Sequence, residues 1–306
     1  PGSESNVKEI YDKVWELREE RENVFVFNQF DEFGNHLWHY NVTGHAMEEV
    51  LGIEMGPDDN YHGVALTSGS SGTLGCGDYL KEIFPNSRIA VGEALQCPTL
   101  LENGFGAHRI EGIGDKHVPW IHNVRNTDMV IAIDDNAVVN LARLFNEPAG
   151  RQYLIDKGVP EDLVCQLDFM GFSCIANVLM SIKYAKYYEL DENDIVLTVF
   201  TDSMELYQSR LKEMHEEFGE YTEMDAARHH ARYLKGVTPN YLLDLNFEAK
   251  RRIHNLKYYT WIEQQGKELE ELNTQWSDKS YWDGYHQQVD DMDELIKDFN
   301  DRVGLL

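Results

Sequence analysis

The chain has 306 residues and sets 54 acidic side chains against 27 basic ones, for a formal net charge of −27. That balance excludes a partner held through a nucleic-acid backbone, because such binding needs a basic footprint. The acidity reads instead as a solubility feature of the surface. An apolar share of 42% supports a sizeable core in one or two domains, and no apolar run is long enough to span a bilayer.

Taken in order, residues 6–21 predict a helix and 24–27 a short strand. Strands are expected at 64–67, 89–92, 129–133 and 195–200, and helices at 43–51, 74–84, 135–146 and 175–188. Strands joined by crossover helices imply an α/β fold with a mainly parallel sheet flanked by helices on both faces. Ligands of such sheets sit beyond the carboxyl ends of the strands. From about residue 213 the pattern turns helical, with segments at 225–234, 241–265, 267–275 and 289–303. Leu242, Leu245, Phe247, Ile253, Leu256, Tyr259 and Ile262 recur there at roughly helical spacing. Residues 213–306 therefore read as an all-helical extension, a packing wrap or dimer brace. Cys76, Cys97, Cys165 and Cys174 form no CxxC pair and read as reduced, mostly buried thiols of a cytoplasmic protein.

Between the strand ending near Thr67 and the helix from Leu74 lies Ser68-Gly69-Ser70-Ser71-Gly72-Thr73. Backbone amides at a helix N-terminus, with small hydroxyl side chains around them, make an anion cradle whose natural guest is a phosphate. The loop is neither GxxxxGK[ST] nor GxGxxG, and taken alone it also fits a bare structural turn.

The run from Gly69 through Gly75 and Gly77, followed by Tyr79-Leu80-Lys81-Glu82, resembles the cofactor-phosphate loop of the cysteine synthase / cystathionine β-synthase family. These are pyridoxal-phosphate (PLP) enzymes of the tryptophan-synthase-β fold. Asn28-Gln29-Phe30 with His39-Tyr40 and Thr43-Gly44 resembles the family's NQF…HY..TG stretch. Gly92-Glu93-Ala94 is similar to its VEP, and 108–114 to its HKIQGIG. Residues 171–176 stand at its GISSGA, and the stretch from Val199 through Asp202-Ser203 to Arg210-Leu211 at its terminal strand and PDS…Y turn.

The resemblance implies that Gly69, Ser70, Ser71, Gly72 and Thr73 bind the PLP phosphate, with Ser71 where the family has glycine. It implies that Ser173 meets the pyridine nitrogen, where a neutral hydroxyl leaves that nitrogen largely unprotonated and moderates the electron sink. Cys174 and Ile175 replace the family's Ser-Gly beside it. Gln29, Gly112 and Gly114 fall near the substrate, and Asp202 and Ser203 at the neighbouring turn. The family's PLP-anchoring lysine and its S/T-G-N-type substrate loop have no match. The start at Pro1-Gly2-Ser3-Glu4-Ser5, without a Met, points to a piece of a longer polypeptide. Residues 1–27 then read as the remnant of a small mobile domain, 28–212 as the PLP-binding α/β domain, and the chain alone as inactive. The lysine is expected from a missing N-terminal segment or a companion chain.

The histidines suggest pairs (His36 with His39, His117 with His122, His229 with His230), but none has a third ligand at metal-binding spacing, so no metal is expected. The assembled protein reads as an enzyme of β-elimination or β-replacement on a small amino acid, working as a homodimer. The alternatives are an amino-acid-degrading lyase (C–S lyase, desulfhydrase or ammonia-lyase) and a non-catalytic PLP-binding or interaction subunit.

Overall fold

The structure is a computed structural model and describes residues 7–305. Pro1 to Ser5, and Asn6 where the first helix was expected to start, lie outside the described residues. Five strands make one sheet: β1 (Asn60–Thr67), β2 (Arg88–Ala94), β3 (Met129–Ile133), β4 (Asp194–Leu197) and β5 (Leu242–Asp244). Their order is β4-β1-β2-β3-β5. The first three pairings are parallel, with Val64 beside Ile89 and Val91 beside Val130, and β5 runs antiparallel to β3 with Leu243 opposite Val130.

Every residue of β3 and nearly all of β2 are buried, as expected for parallel strands covered on both faces. Side chains alternate between the two faces. Ala90, Ala94, Met129, Ile131 and Ile133 join one core, while Ile89, Val91 and Val130 join the other.

The helices that build these layers are α1 (Val7–Glu20), α2 (Phe33–Trp38), α3 (Gly44–Glu54), α4 (Leu74–Ile83), α5 (Thr99–Glu102), α6 (Asp135–Asn146), α7 (Pro148–Asp156), α8 (Glu161–Val164) and α9 (Phe172–Tyr187). After β4 follow α10 (Gln208–Phe218), α11 (Glu223–His229), α12 (Phe247–Lys257), α13 (Leu269–Ser277), α14 (Lys279–His286) and α15 (Val289–Val303). Local chemistry explains several boundaries. Asp134 caps α6 by accepting from the Asn136 amide, and Thr222 and Asp225 form a reciprocal capping box on α11. In α4, Gly75 lets α2 approach: a Cβ there would stand 2.4 Å from the His36 carbonyl.

Two expectations are corrected. Residues 24–27 form no strand; Phe25 and Phe27 are 73% and 86% exposed and meet edge to face, with no strand paired beside them. Residues 241–265 are not one helix, so the region after 213 is not all helical. Tyr241 adopts φ +52°, Leu242–Asp244 joins the sheet as β5, and α12 starts only after Asn246, whose side chain accepts from the Ala249 amide. The apolar residues at helical spacing thus divide: Leu242 joins the edge strand of the sheet, and Leu245, Ile253 and Leu256 pack in the second core beneath it.

The later elements share the cores of the earlier ones. Met214, Tyr221 and Ala226 pack in the first core, and Leu245 and Ile253 in the second. A third, aromatic cluster joins Tyr11 and Phe33 to Trp120, Trp261, Leu272 and Trp282. All four cysteines are free, with only Cys165 exposed. Among the described residues no single helix is long and apolar enough to cross a membrane.

Candidate active site

A cavity of about 500 Å³ opens beyond the carboxyl ends of β1 and β4. Its walls come from the loop after β1 (Gly69, Ser70, Ser71, Thr73), the segment 112–115, the first turns of α9 (Ser173, Asn177), the chain after β4 (Val199, Thr201), and Gln29, Phe30 and His39. Parallel strands all present carbonyl ends on this edge, and each following chain segment must turn there, so the cavity sits where the topology brings loops together.

The loop is fixed by its neighbours. The Ser68 amide donates to the Gly92 carbonyl, and the Gly114 amide donates to the Ser68 carbonyl, both at 2.9 Å. The Ser68 and Ser71 hydroxyls lie 2.8 Å apart. Asn35 Nδ2 donates to the Gln29 carbonyl at 2.9 Å and to Ser70 Oγ at 3.0 Å. Ser71 takes φ +67°, the left-handed region that glycine enters freely, which accounts for glycine at the matching family position. Gly69 has no room for a side chain either, since a Cβ would stand 2.9 Å from the Gly112 carbonyl.

Within the described chain, no acceptor takes the backbone amides of Gly69, Ser70, Ser71, Gly72 or Thr73. Five consecutive amides without acceptors, next to a cavity at a helix start, fit a phosphate. Among the described lining residues there is a carboxylate, Asp115, and no lysine or arginine.

Across the cavity Ser173 is nearly buried, and its hydroxyl donates to Asp202 Oδ1 at 3.2 Å. Cys174 Sγ also donates to that oxygen, at 3.0 Å, and Tyr207 donates to Oδ2. Asn177 Oδ1 accepts from the Thr67 amide at 2.9 Å while its Nδ2 donates to the Val199 carbonyl at 2.8 Å, tying the ends of two chain segments that wall the site. His39 Nδ1 lies 2.9 Å from Thr43 Oγ1, and burial holds this imidazole below its ordinary pKa.

The structure therefore brings Gln29, Gly69, Ser70, Ser71, Thr73, Gly112, Gly114 and Ser173 to one cavity. Gly72 sits behind the wall, packed against the Asn35 side chain. Asn35 and Asn177 were not anticipated, because an asparagine that braces two distant backbones carries no local signature. Asp202, anticipated at the turn, accepts the hydrogen bond of the Ser173 hydroxyl. The histidine pairs come apart: His39 lines the cavity, His117 packs among Tyr11, Phe30 and Trp261, and His229 and His230 face Tyr221 and Tyr153. His36 meets neither His39 nor the cavity but lies against Asp78 and His286.

Fold and cavity together define an α/β protein with a loop-lined cavity at the carboxyl edge of a mostly parallel sheet. No family model matches the chain. Over 204 residues it is 27% identical to cysteine synthase B of Campylobacter jejuni, covering 66% of this chain and 59% of that protein. Over 200 residues it is 28% identical to an O-acetylserine dependent cystathionine β-synthase of Bacillus subtilis, covering 65% and 56%. The crystal structure of a cysteine synthase from Entamoeba histolytica superposes with a TM-score of 0.54 at 23% identity, covering 73% of this chain and 58% of that one, a likeness of fold. The chain is a homologue of the cysteine synthases and cystathionine β-synthases, with the fold of the type II PLP enzymes, and it spans somewhat more than half the length of the curated relatives it matches.

Proposed function

We propose that this chain supplies the cofactor-binding wall of a PLP enzyme that carries out β-elimination or β-replacement on a small amino acid. The observation that carries the reading is the run of five amides, 69–73, left without acceptors beside a cavity whose far side holds Ser173. When bound, PLP supplies an electron sink that stabilises negative charge at the α-carbon of an amino acid.

Everything else falls to the chain. The amides of residues 69–73 and the hydroxyls of Ser70 and Thr73 hold the phosphate. Ser173 meets the ring nitrogen. It presents a neutral hydroxyl that can donate or accept, and its 3.2 Å hydrogen bond to Asp202 holds it at that place. Gln29, Gly112 and Gly114 border the space left for an amino acid, and Asn35 and Asn177 keep the cradle in shape. No lysine lines the cavity among the described residues, so the lysine that anchors the cofactor comes from a polypeptide segment other than these walls. We assign it to an N-terminal segment or a companion chain in a cytoplasmic, homodimeric assembly.

Pyridoxamine 5′-phosphate tests the cradle, because it binds without a lysine. Fluorescence titration of the chain should show saturable binding that inorganic phosphate competes away. Gly69→Val, which drives a side chain toward the Gly112 carbonyl, is expected to weaken that binding by at least about tenfold, the order of one lost charge-assisted hydrogen bond. Absence of binding, or binding indifferent to Gly69→Val, overturns the proposal.

A further inference from the structure

We propose that His36, Asp78 and His286 form a site for a divalent first-row transition-metal ion, with zinc as the best match to the donor set. The three residues come from α2, α4 and the end of α14, and a ligand atom from each lies within 4.8 Å of the other two. The two Nε2 atoms are 3.0 Å apart, and His36 Nε2 is 3.7 Å from Asp78 Oδ2. A tetrahedral ion with bonds of about 2.0–2.1 Å sets its ligand atoms roughly 3.3 Å apart. The two separations straddle that value.

Charge gives the second argument. His36 and Asp78 are 1% and 3% exposed. Asp78 receives only neutral donors, Asn123 Nδ2 at 2.8 Å and Asn126 Nδ2 at 3.0 Å. The neighbouring cation on its helix, Lys81, is engaged with Asp128 at 2.6 Å. At 3.7 Å the His36 contact is too long for a hydrogen bond. A buried carboxylate without a cation at contact distance is costly, and a metal ion between it and two imidazoles supplies the missing positive charge.

The surroundings are those of a metal site beyond its ligands. The two asparagines orient the carboxylate, and Glu82, 3.8 Å from the other nitrogen of His286, adds negative charge nearby without a hydrogen bond to it. Tyr40 stacks on His286 at 3.8 Å and the Trp282 ring lies 5.8 Å from that of His36, which encloses the cluster. Imidazole and carboxylate donors suit zinc and its first-row neighbours. Three protein ligands leave one corner for water. Such an ion would clamp α14 to α4, the helix that starts directly after the phosphate loop, so that the C-terminal helices would brace the cradle from behind.

The test uses the full chain stripped with EDTA and dialysed. Titration with Co²⁺ is expected to give a visible d–d band that saturates at one equivalent and is displaced by Zn²⁺, and Zn²⁺ is expected to raise the unfolding temperature. Asp78→Asn and His286→Gln, checked for fold by far-ultraviolet circular dichroism, are each expected to weaken Zn²⁺ binding at least about tenfold and to abolish the thermal shift. No stoichiometric band overturns the proposal. So does a thermal shift that survives in both variants, which marks surface histidines as the binders and leaves His36 and His286 as a hydrogen-bonded pair.

Discussion

The loop at the end of β1 and the helices after residue 240 both bring polar groups out of water, and they do so with opposite outcomes. In the loop the groups are consecutive backbone amides, residues 69–73, and none meets an acceptor within the described chain. In the C-terminal region they are side chains far apart in sequence, and they are closely matched. The fully buried Lys257 donates to the Trp120 carbonyl, the His122 carbonyl and Gln275 Oε1, each at 2.8 Å. His254 Nε2 lies 2.9 Å from the Leu272 carbonyl, and Trp261 Nε1 donates to the Val118 carbonyl at 2.8 Å. Unmet donors at a cavity edge suit a ligand of the kind proposed above, whereas met donors inside a core hold segments together. The contrast separates a binding surface from a brace within one molecule.

Acidification should strain the brace most. Burial pushes His117 down to about 4 and His254 down to about 3, and holds His122 well below its ordinary value. Each native imidazole refuses a proton that the unfolded chain accepts below pH 6.5, so its contribution is complete above that pH and is lost as pH falls toward the native value. Glu93, raised by burial to about 7, works in the opposite sense: its native carboxyl keeps a proton that the unfolded chain gives up between 4.5 and 7. Asp78, raised by burial to about 6, acts in the same sense as Glu93. His36 and His286, lowered by burial to about 3 and about 4, add to the other side when no metal is bound, so five histidines outweigh two acids. Urea unfolding with EDTA present is therefore expected to show lower stability at pH 5 than at pH 7, and equal or higher stability at pH 5 would break the comparison.

Next in size is Lys257→Met, which keeps the bulk and strands three oxygen acceptors. The expected loss is about 3 kcal/mol, the scale of breaking a buried polar cluster. A urea midpoint within error of the parent would show that those contacts add nothing. On the side of the loop, Gly75→Ala pushes a methyl group toward the His36 carbonyl between α4 and α2. Overpacking of this kind costs about 2 kcal/mol. If the thermal midpoint is unchanged, the close approach of the two helices is not a constraint.

Much of the molecule was legible along the chain. β3 matches its expected bounds, because a five-residue apolar run flanked by polar residues has one way to be buried on both faces. α6 matches too, since Asp134 supplies a cap and the apolar residues keep helical spacing. The residues of the cradle and their neighbours at 112–114 and 173 were legible as family motifs, and the cavity gathers them. The strand expected at 24–27 failed because a strand exists only through its partner, and local alternation cannot supply one. The helix expected over 241–265 failed because β3 had an open edge, and pairing with it outweighed helical spacing for three residues.

The sequence by itself determined the class of fold, the parallel sheet and the place of the glycine-serine loop between β1 and α4, since these rest on runs of neighbouring residues whose spacing is set by backbone geometry. Only the tertiary structure decided that Ser173 donates a hydrogen bond to Asp202, that Lys257 finds three acceptors, and that His36 stands 3.0 Å from a histidine 250 residues later. Each of those depends on where distant segments cross, and crossing points follow from packing the whole core.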